Sequence, residues 1–313
     1  MAVFDIEKLE RNMPSTVKGI FRICDPKDKI TQGHTPYQCM TLMNITGRIS
    51  GFVWPNRYYG TYEPKNNDIV HIIGKPKIIP QKNVPAIDLY DVEPAKFAVN
   101  PFECLPPESV ADKDEVRKLI DIMESITSRS LKAFIYEVFS EDQLAKSFVN
   151  CKGSYDHHHS EKGGLLSHSL EMVSFVNRMS ELPVHEREIG MVAALLHDIS
   201  KTKLSYNATG PNSPMLKHDT RTLEMLAVPL QTLENAWSDG AGLLRNILEY
   251  PLTTREYMSR RMHVPSIANL VWWADQFSTS TYKERKEYAR MGKLQRYSKS
   301  RNETFFRIRP ECH

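Results

Sequence analysis

Paired cysteines are the first thing this chain does without. Its five cysteines, Cys24, Cys39, Cys104, Cys151 and Cys312, are scattered and no two form a CxxC. Neither a disulfide framework nor a zinc knuckle is indicated, and they read as ordinary thiols. Long apolar runs are missing too: none reaches the roughly 18 residues that a membrane span needs. The opening MAVFDIEKLERN is charged and lacks the apolar core of a secretory signal. A soluble, intracellular, cytoplasmic protein without membrane contact is therefore the expectation. Net charge is scarce as well, only +3 over 313 residues. A polyanion partner cannot be argued from the total and has to be argued from the distribution. The length suits two domains, each large enough for a core of its own.

What the chain does have falls into two textures. Residues 15–97 alternate apolar with polar positions in STVKGIFRICD, YQCMTLMNITGRISGFVWP, DIVHIIGKPKIIPQ and VPAIDLYDVEPA, broken by proline, glycine and asparagine. That is the pattern of short strands in a small barrel. Five strands in about 80 residues, with the hairpin wording TLMNITGRI around Gly47, resemble an OB-fold. Such barrels hold single strands by stacking bases on aromatic rings beside cationic side chains. Phe52, Trp54, Tyr58, Tyr59 and Tyr62 are at hand, with Arg48, Arg57, Lys65, Lys75 and Lys77 nearby. Trp54, Tyr58, Tyr59 and Arg57 are the candidate strand-binding residues. The plain alternative is that half of these rings fill the barrel and the lysines are merely solvated.

Residues 1–14 read as an N-terminal extension. Pro101, Pro106 and Pro107 mark 98–111 as a linker, and helical texture then continues over 112–290, starting with helices near 112–126 and 128–148. The fold expected is α+β and multidomain: a five-stranded barrel followed by an all-α domain. The end of the chain, 291–313, is a basic tail. From Lys283 to Arg309 there are ten lysines or arginines against three glutamates, with aromatics interleaved. Such a stretch suits a polyanion, although a solvated helix face is the commoner outcome for a charge run.

Six of the eleven histidines lie between Tyr155 and Lys203. His168 sits among Leu165, Leu166, Leu170, Val173, Val176 and Met179, near the 3.6 period of a largely buried helix. A second apolar run, IGMVAALLHD, closes on His197 and Asp198. A third, SIANLVWWADQFS, is interrupted by Asp275. Charged groups are rarely buried unless paired or metal-bound, and imidazole with carboxylate suits a divalent ion. The polar loop YNATGPNSP that follows belongs near the mouth of a cleft.

In this order and these helical contexts, His168, His197-Asp198 and Asp275 resemble the H…HD…D signature of HD-domain metal-dependent phosphohydrolases. His158-His159 ahead of Gly163-Gly164-Leu165, and Lys201 three residues after Asp198, further resemble the YhaM family of 3′-to-5′ exoribonucleases, which join an OB-fold to an HD domain. The HHH…GGLL.HSLE wording is also similar to the HD module of MobH-type conjugative relaxases. The resemblance covers roughly residues 15–285.

It implies a divalent metal, manganese foremost, with magnesium, iron, nickel or zinc as alternatives. It implies His168, His197, Asp198 and Asp275 as ligands, and Lys201, His158 and His159 beside the scissile phosphate. The activity implied is hydrolysis of single-stranded DNA or RNA from the 3′ end, with Asp198 orienting the nucleophile. Between Asp198 and Asp275 the chain offers only His218 and His263, where two-metal relatives supply a close histidine pair. His218 is the candidate ligand for a second ion, and the first four suffice for one. A relaxase-like DNA-processing protein of a mobile element, a non-catalytic nucleic-acid-binding module, and homo-oligomerisation stay open at this point.

Overall fold

The computed structural model describes residues 4–9, 13–80, 82–95, 99–153, 160–203, 218–260, 264–291, 297–298 and 302–304, without side chains at 218–219, 250–260 and 303. Its contacts divide into two compact units, Met1–Asn150 and Cys151–His313.

In the first unit, β1 (Val17–Ile30), β2 (Pro36–Asn44), β3 (Gly47–Val53), β4 (Ile69–Ile79) and β5 (Val84–Pro94) close into a barrel in the order β1-β2-β3-β5-β4. Neighbours are antiparallel except β3 and β5, which run parallel. This is an OB-like barrel, as the alternating sequence predicts. The alternation does the sorting: Val17, Phe21 and Ile23 point inward from β1, and Leu42, Ile49, Val70, Ile72, Ile87 and Leu89 meet them. Gly74 sits where the β4–β5 register shifts. A Cβ there would come within 2.6 Å of the Asp88 carbonyl oxygen and 2.5 Å of Ile87 Cγ2, so the close approach of the two strands requires glycine.

The N-terminal residues are part of this core rather than an appendage. Ile6 and Leu9 are buried in it. Ile6 N donates to Thr46 Oγ1 at 2.9 Å, and Asn44 Nδ2 donates to the Phe4 carbonyl at 2.7 Å. Three helices complete the unit. α1 (Lys113–Ser125) starts where Asp112 accepts from the N–H groups of Asp114 and Glu115, and α2 (Arg129–Val138) where Ser128 caps Leu131. α3 (Asp142–Asn150) adds Phe148 to the packed rings of Phe102 and Phe139. The sequence reading joined these helices to the histidine stretch; the contacts group them with the barrel.

The second unit is built on α4 (Gly164–Asn177), α5 (Val184–Leu196), a 3-10 turn (Ile199–Lys203), α6 (His218–Ala236), α7 (Ser238–Arg260) and α8 (Ser266–Arg290). α4 packs on α5, and α8 on both. Gly163 enters α4 at φ 84°, a left-handed conformation that suits glycine. Gly190 of α5 lies so close to α8 that an added Cβ would meet Ile267 Cδ1 at 2.3 Å. α5 is buried nearly throughout, from Glu188 to Leu196. A short hairpin, β6 (Tyr297–Ser298) with β7 (Glu303–Thr304), is tied to α8 by Ser298 Oγ donating to Glu287 Oε2 at 2.6 Å. No helix among the described residues is long and apolar enough to cross a membrane.

Candidate functional site

Three elements of the second unit deliver the cluster: α4 brings His168, the end of α5 brings His197 and Asp198, and α8 brings Asp275. One ligand atom each from His168, His197 and Asp198 lies within 4.8 Å of the others. The two Nε2 atoms are 3.3 Å apart. Asp275 Oδ1 is 3.2 Å from His168 Nε2, and Asp198 Oδ2 is 3.1 Å from His197 Nε2. His168 is fully buried and Asp198 nearly so.

The ring protons point away from this convergence. His197 Nδ1 lies 2.9 Å from the carbonyl of Ala194, which can only accept, so Nδ1 carries a proton. His168 Nδ1 lies 3.0 Å from Ser278 Oγ, whose own proton goes to Glu171 Oε2. Both Nε2 atoms therefore turn lone pairs toward two carboxylates, an arrangement of acceptors that needs a shared cation.

The electrostatics agree. Burial keeps His168 below its ordinary range, hence neutral. Burial disfavours a charged ring at His197 too, but the Asp198 and Asp275 carboxylates outweigh it and raise His197 to about 9. Burial alone would raise Asp198; His197 and Lys201 instead hold it well below the usual carboxylate range. Asp275 is lowered despite its burial, chiefly by His168 and His197. Without a metal, the cation shared by these acceptors is one proton on His197 Nε2. Once that proton is displaced, two imidazole nitrogens and one or two carboxylate oxygens fit a divalent ion of the manganese to zinc series.

Lys201 is anchored beside the cluster. Its ammonium donates to Asp198 Oδ2 and to the Gly153 carbonyl, each at 2.6 Å. Thr222 Oγ1 donates to the His197 carbonyl at 2.9 Å and ties α6 to the site. His158 and His159 lie outside the described residues, as does the loop YNATGPNSP. His218 opens α6, but its side chain is not among those described. Of the basic stretch, Arg285, Lys286 and Arg290 belong to the last turns of α8, while 292–296 and 305–313 lie outside the described residues.

On the barrel a second constellation stands out. Tyr37 and Trp54 stack with centroids 4.8 Å apart and planes 20° from parallel, and Phe52 extends the stack to Trp54 at 6.5 Å. Lys77 Nζ lies 4.6 Å above the Phe52 ring and 5.4 Å from that of Trp54. Asp88 holds the group together, accepting from Trp54 Nε1 at 2.9 Å, pairing with Lys77 at 2.5 Å and facing Arg57 at 3.6 Å.

Of the four sequence candidates, Trp54 and Arg57 meet at Asp88. Tyr58 lies apart: its ring packs against the barrel core, and its hydroxyl donates to the Tyr62 carbonyl at 2.9 Å. Tyr59 is 65% exposed and approaches Tyr90 at 6.4 Å, apart from the stack. Tyr37 and Asp88 were missed. Period-two alternation puts Phe52 and Trp54, the latter just past the end of β3, on one face, but only the pairing of β2 with β3 brings Tyr37 beside them.

No family model matches the chain, and no curated protein does. Among solved structures, a chain of a replication protein A heterotrimer bound to ssDNA aligns with a TM-score of 0.22 and 18% identity, over 36% of this chain and 71% of that one. The second OB-fold domain of replication protein A from Methanococcus maripaludis aligns with a TM-score of 0.22 and 19% identity, over 29% of this chain and 96% of that one. At that similarity, the assignment of the barrel rests on its own strand order.

Proposed function

We propose that the protein is a metal-dependent phosphodiesterase of the HD-domain type that acts on single-stranded nucleic acid, as a 3′-to-5′ exonuclease. One observation carries the reading: ligand atoms of His168, His197 and Asp198 lie within 4.8 Å of one another, with Asp275 Oδ1 beside His168 Nε2. His168, His197 and Asp198, with Asp275 beside His168, would hold the ion. When bound, a divalent cation supplies Lewis acidity to water and to a phosphoryl oxygen. Asp198 orients the attacking water, and Lys201, with two ammonium protons engaged, keeps one for a phosphate oxygen. On the barrel, the Tyr37–Phe52–Trp54 stack offers a face to a base and Lys77 and Arg57 offer charge to its phosphate.

The test is hydrolysis of end-labelled single-stranded RNA and DNA with Mn²⁺ and with EDTA, beside Asp198→Ala. A metal-dependent ladder from the 3′ end, absent in the variant, is expected. Cleavage that persists in a clean Asp198→Ala preparation would sink the assignment. A second reading, a binding module whose metal is structural, draws on the ion pair that already occupies Asp198 Oδ2. It predicts strand binding that survives EDTA with no hydrolysis of either substrate.

A further inference from the structure

Behind His168, a chain of hydrogen bonds leads from the buried cluster to the surface. His168 Nδ1 is 3.0 Å from Ser278 Oγ, and Ser278 donates to Glu171 Oε2 at 2.7 Å. Ser278 is 3% exposed, so its bond to His168 is an interior one, while Glu171 reaches the surface. The other Glu171 oxygen is 3.6 Å from Arg285 Nη1. Glu171 and Arg285 line a pocket of about 440 Å³ with Glu161, Ser167, Tyr282 and Lys286.

The direction of these bonds is fixed by counting protons. A carboxylate only accepts, and a serine hydroxyl has a single proton to give. Ser278 gives it to Glu171 and so accepts from His168, which places the ring proton on Nδ1 and leaves Nε2 bare toward the cluster. We propose that Glu171 and Ser278 are positioning residues that set the tautomer of His168 and, through it, the affinity of the cluster for a divalent cation. This rests on the metal-site reading above.

Glu171→Gln is the discriminating variant, because it preserves shape while removing the charge and allowing the bond direction to reverse. Arg285 attracts the amide oxygen and turns the NH₂ toward Ser278. Ser278 then accepts from Gln and donates to His168 Nδ1, which moves the ring proton to Nε2, where it faces the place of the ion. Ser278→Ala removes the acceptor, whereas Ser278→Thr keeps a hydroxyl.

The experiment has two readouts on the full-length, metal-free protein. Two-bond ¹H–¹⁵N correlations of ¹⁵N-histidine-labelled protein give the tautomer, with His168→Gln identifying the signal. Calorimetric titration with Mn²⁺ at fixed pH gives the affinity. The wild type and Ser278→Thr should show the Nδ1–H form; Glu171→Gln should shift toward Nε2–H. Glu171→Gln and Ser278→Ala should bind Mn²⁺ about 10–100-fold more weakly, the usual loss when a second-layer partner of a metal-binding histidine is removed. If wild type binds Mn²⁺, His197→Ala does not, and Glu171→Gln and Ser278→Ala keep both tautomer and affinity, the positioning role is overturned while the metal site stands. A wild type that takes up no Mn²⁺ overturns both.

Discussion

At the scale of single residues, the shared proton on His197 makes the clearest prediction. Its pKa is raised from 6.5 to about 9 by neighbouring carboxylates. A raised folded-state value contributes stability that is fully present below 6.5 and lost as pH rises through 9. Melting in EDTA should therefore drop between these values, and His197→Gln should flatten that part of the profile. A metal must displace the same proton, so Mn²⁺ affinity should rise about tenfold per pH unit up to about pH 9, as calorimetry in several buffers would show. The barrel residues answer to a different assay. Trp54→Ala removes the middle ring of the stack and should weaken single-strand binding roughly 5–150-fold, as expected for the loss of one base–aromatic contact. Tyr58→Phe, which loses only the hydroxyl's bonds to the Tyr62 and Val92 carbonyls, should leave strand binding unchanged by fluorescence anisotropy.

At the scale of elements, α8 carries more than its sequence discloses. Asp275 was legible as a charge interrupting an apolar run. Ser278, one turn later, was not, since a serine in a helix has no local signature of burial. The same holds for Glu171 on α4. The barrel strands were legible because alternation over seven or more residues is a strong periodic signal. Ile6 and Leu9 were not, because two apolar residues before a polar stretch show no period. Helices α1–α3 have clear caps, but their partner is set by Phe102, Phe139 and Phe148 meeting across the fold, and nothing in the local pattern names it. Packing of α5 against α8 can be tested at Gly190. Gly190→Ala would drive a methyl into Ile267 and Val176. It should cost about 1–3 kcal/mol of stability by overpacking and, by moving the helix that holds Asp275 and Ser278, should lower Mn²⁺ uptake as well.

At the scale of the whole molecule, the two candidate chemistries reside in separate compact units, and their perturbations should be independent. Strand affinity should be unchanged in His197→Ala, and Mn²⁺ affinity unchanged in Trp54→Ala, because the two sites share no partner residue. Strand binding should also be salt-dependent. If Lys77 contacts a phosphate as proposed, Lys77→Ala should make the logarithmic salt slope shallower by about 0.7. The overall modest charge of the chain gave no hint of this, because a few cations beside an aromatic stack matter more than a net total of +3.

The barrel is closed, with β1 bonded to both β2 and β4 and β3 to both β2 and β5. The pairing is staggered: β1 meets β4 over Val17–Arg22 and β2 over Arg22–Ile30. On the reading proposed above, recognition goes through the face made by Tyr37, Phe52 and Trp54. A flat ring is the same kind of surface to every base, so a barrel that binds as proposed would grip a strand while remaining largely indifferent to its sequence.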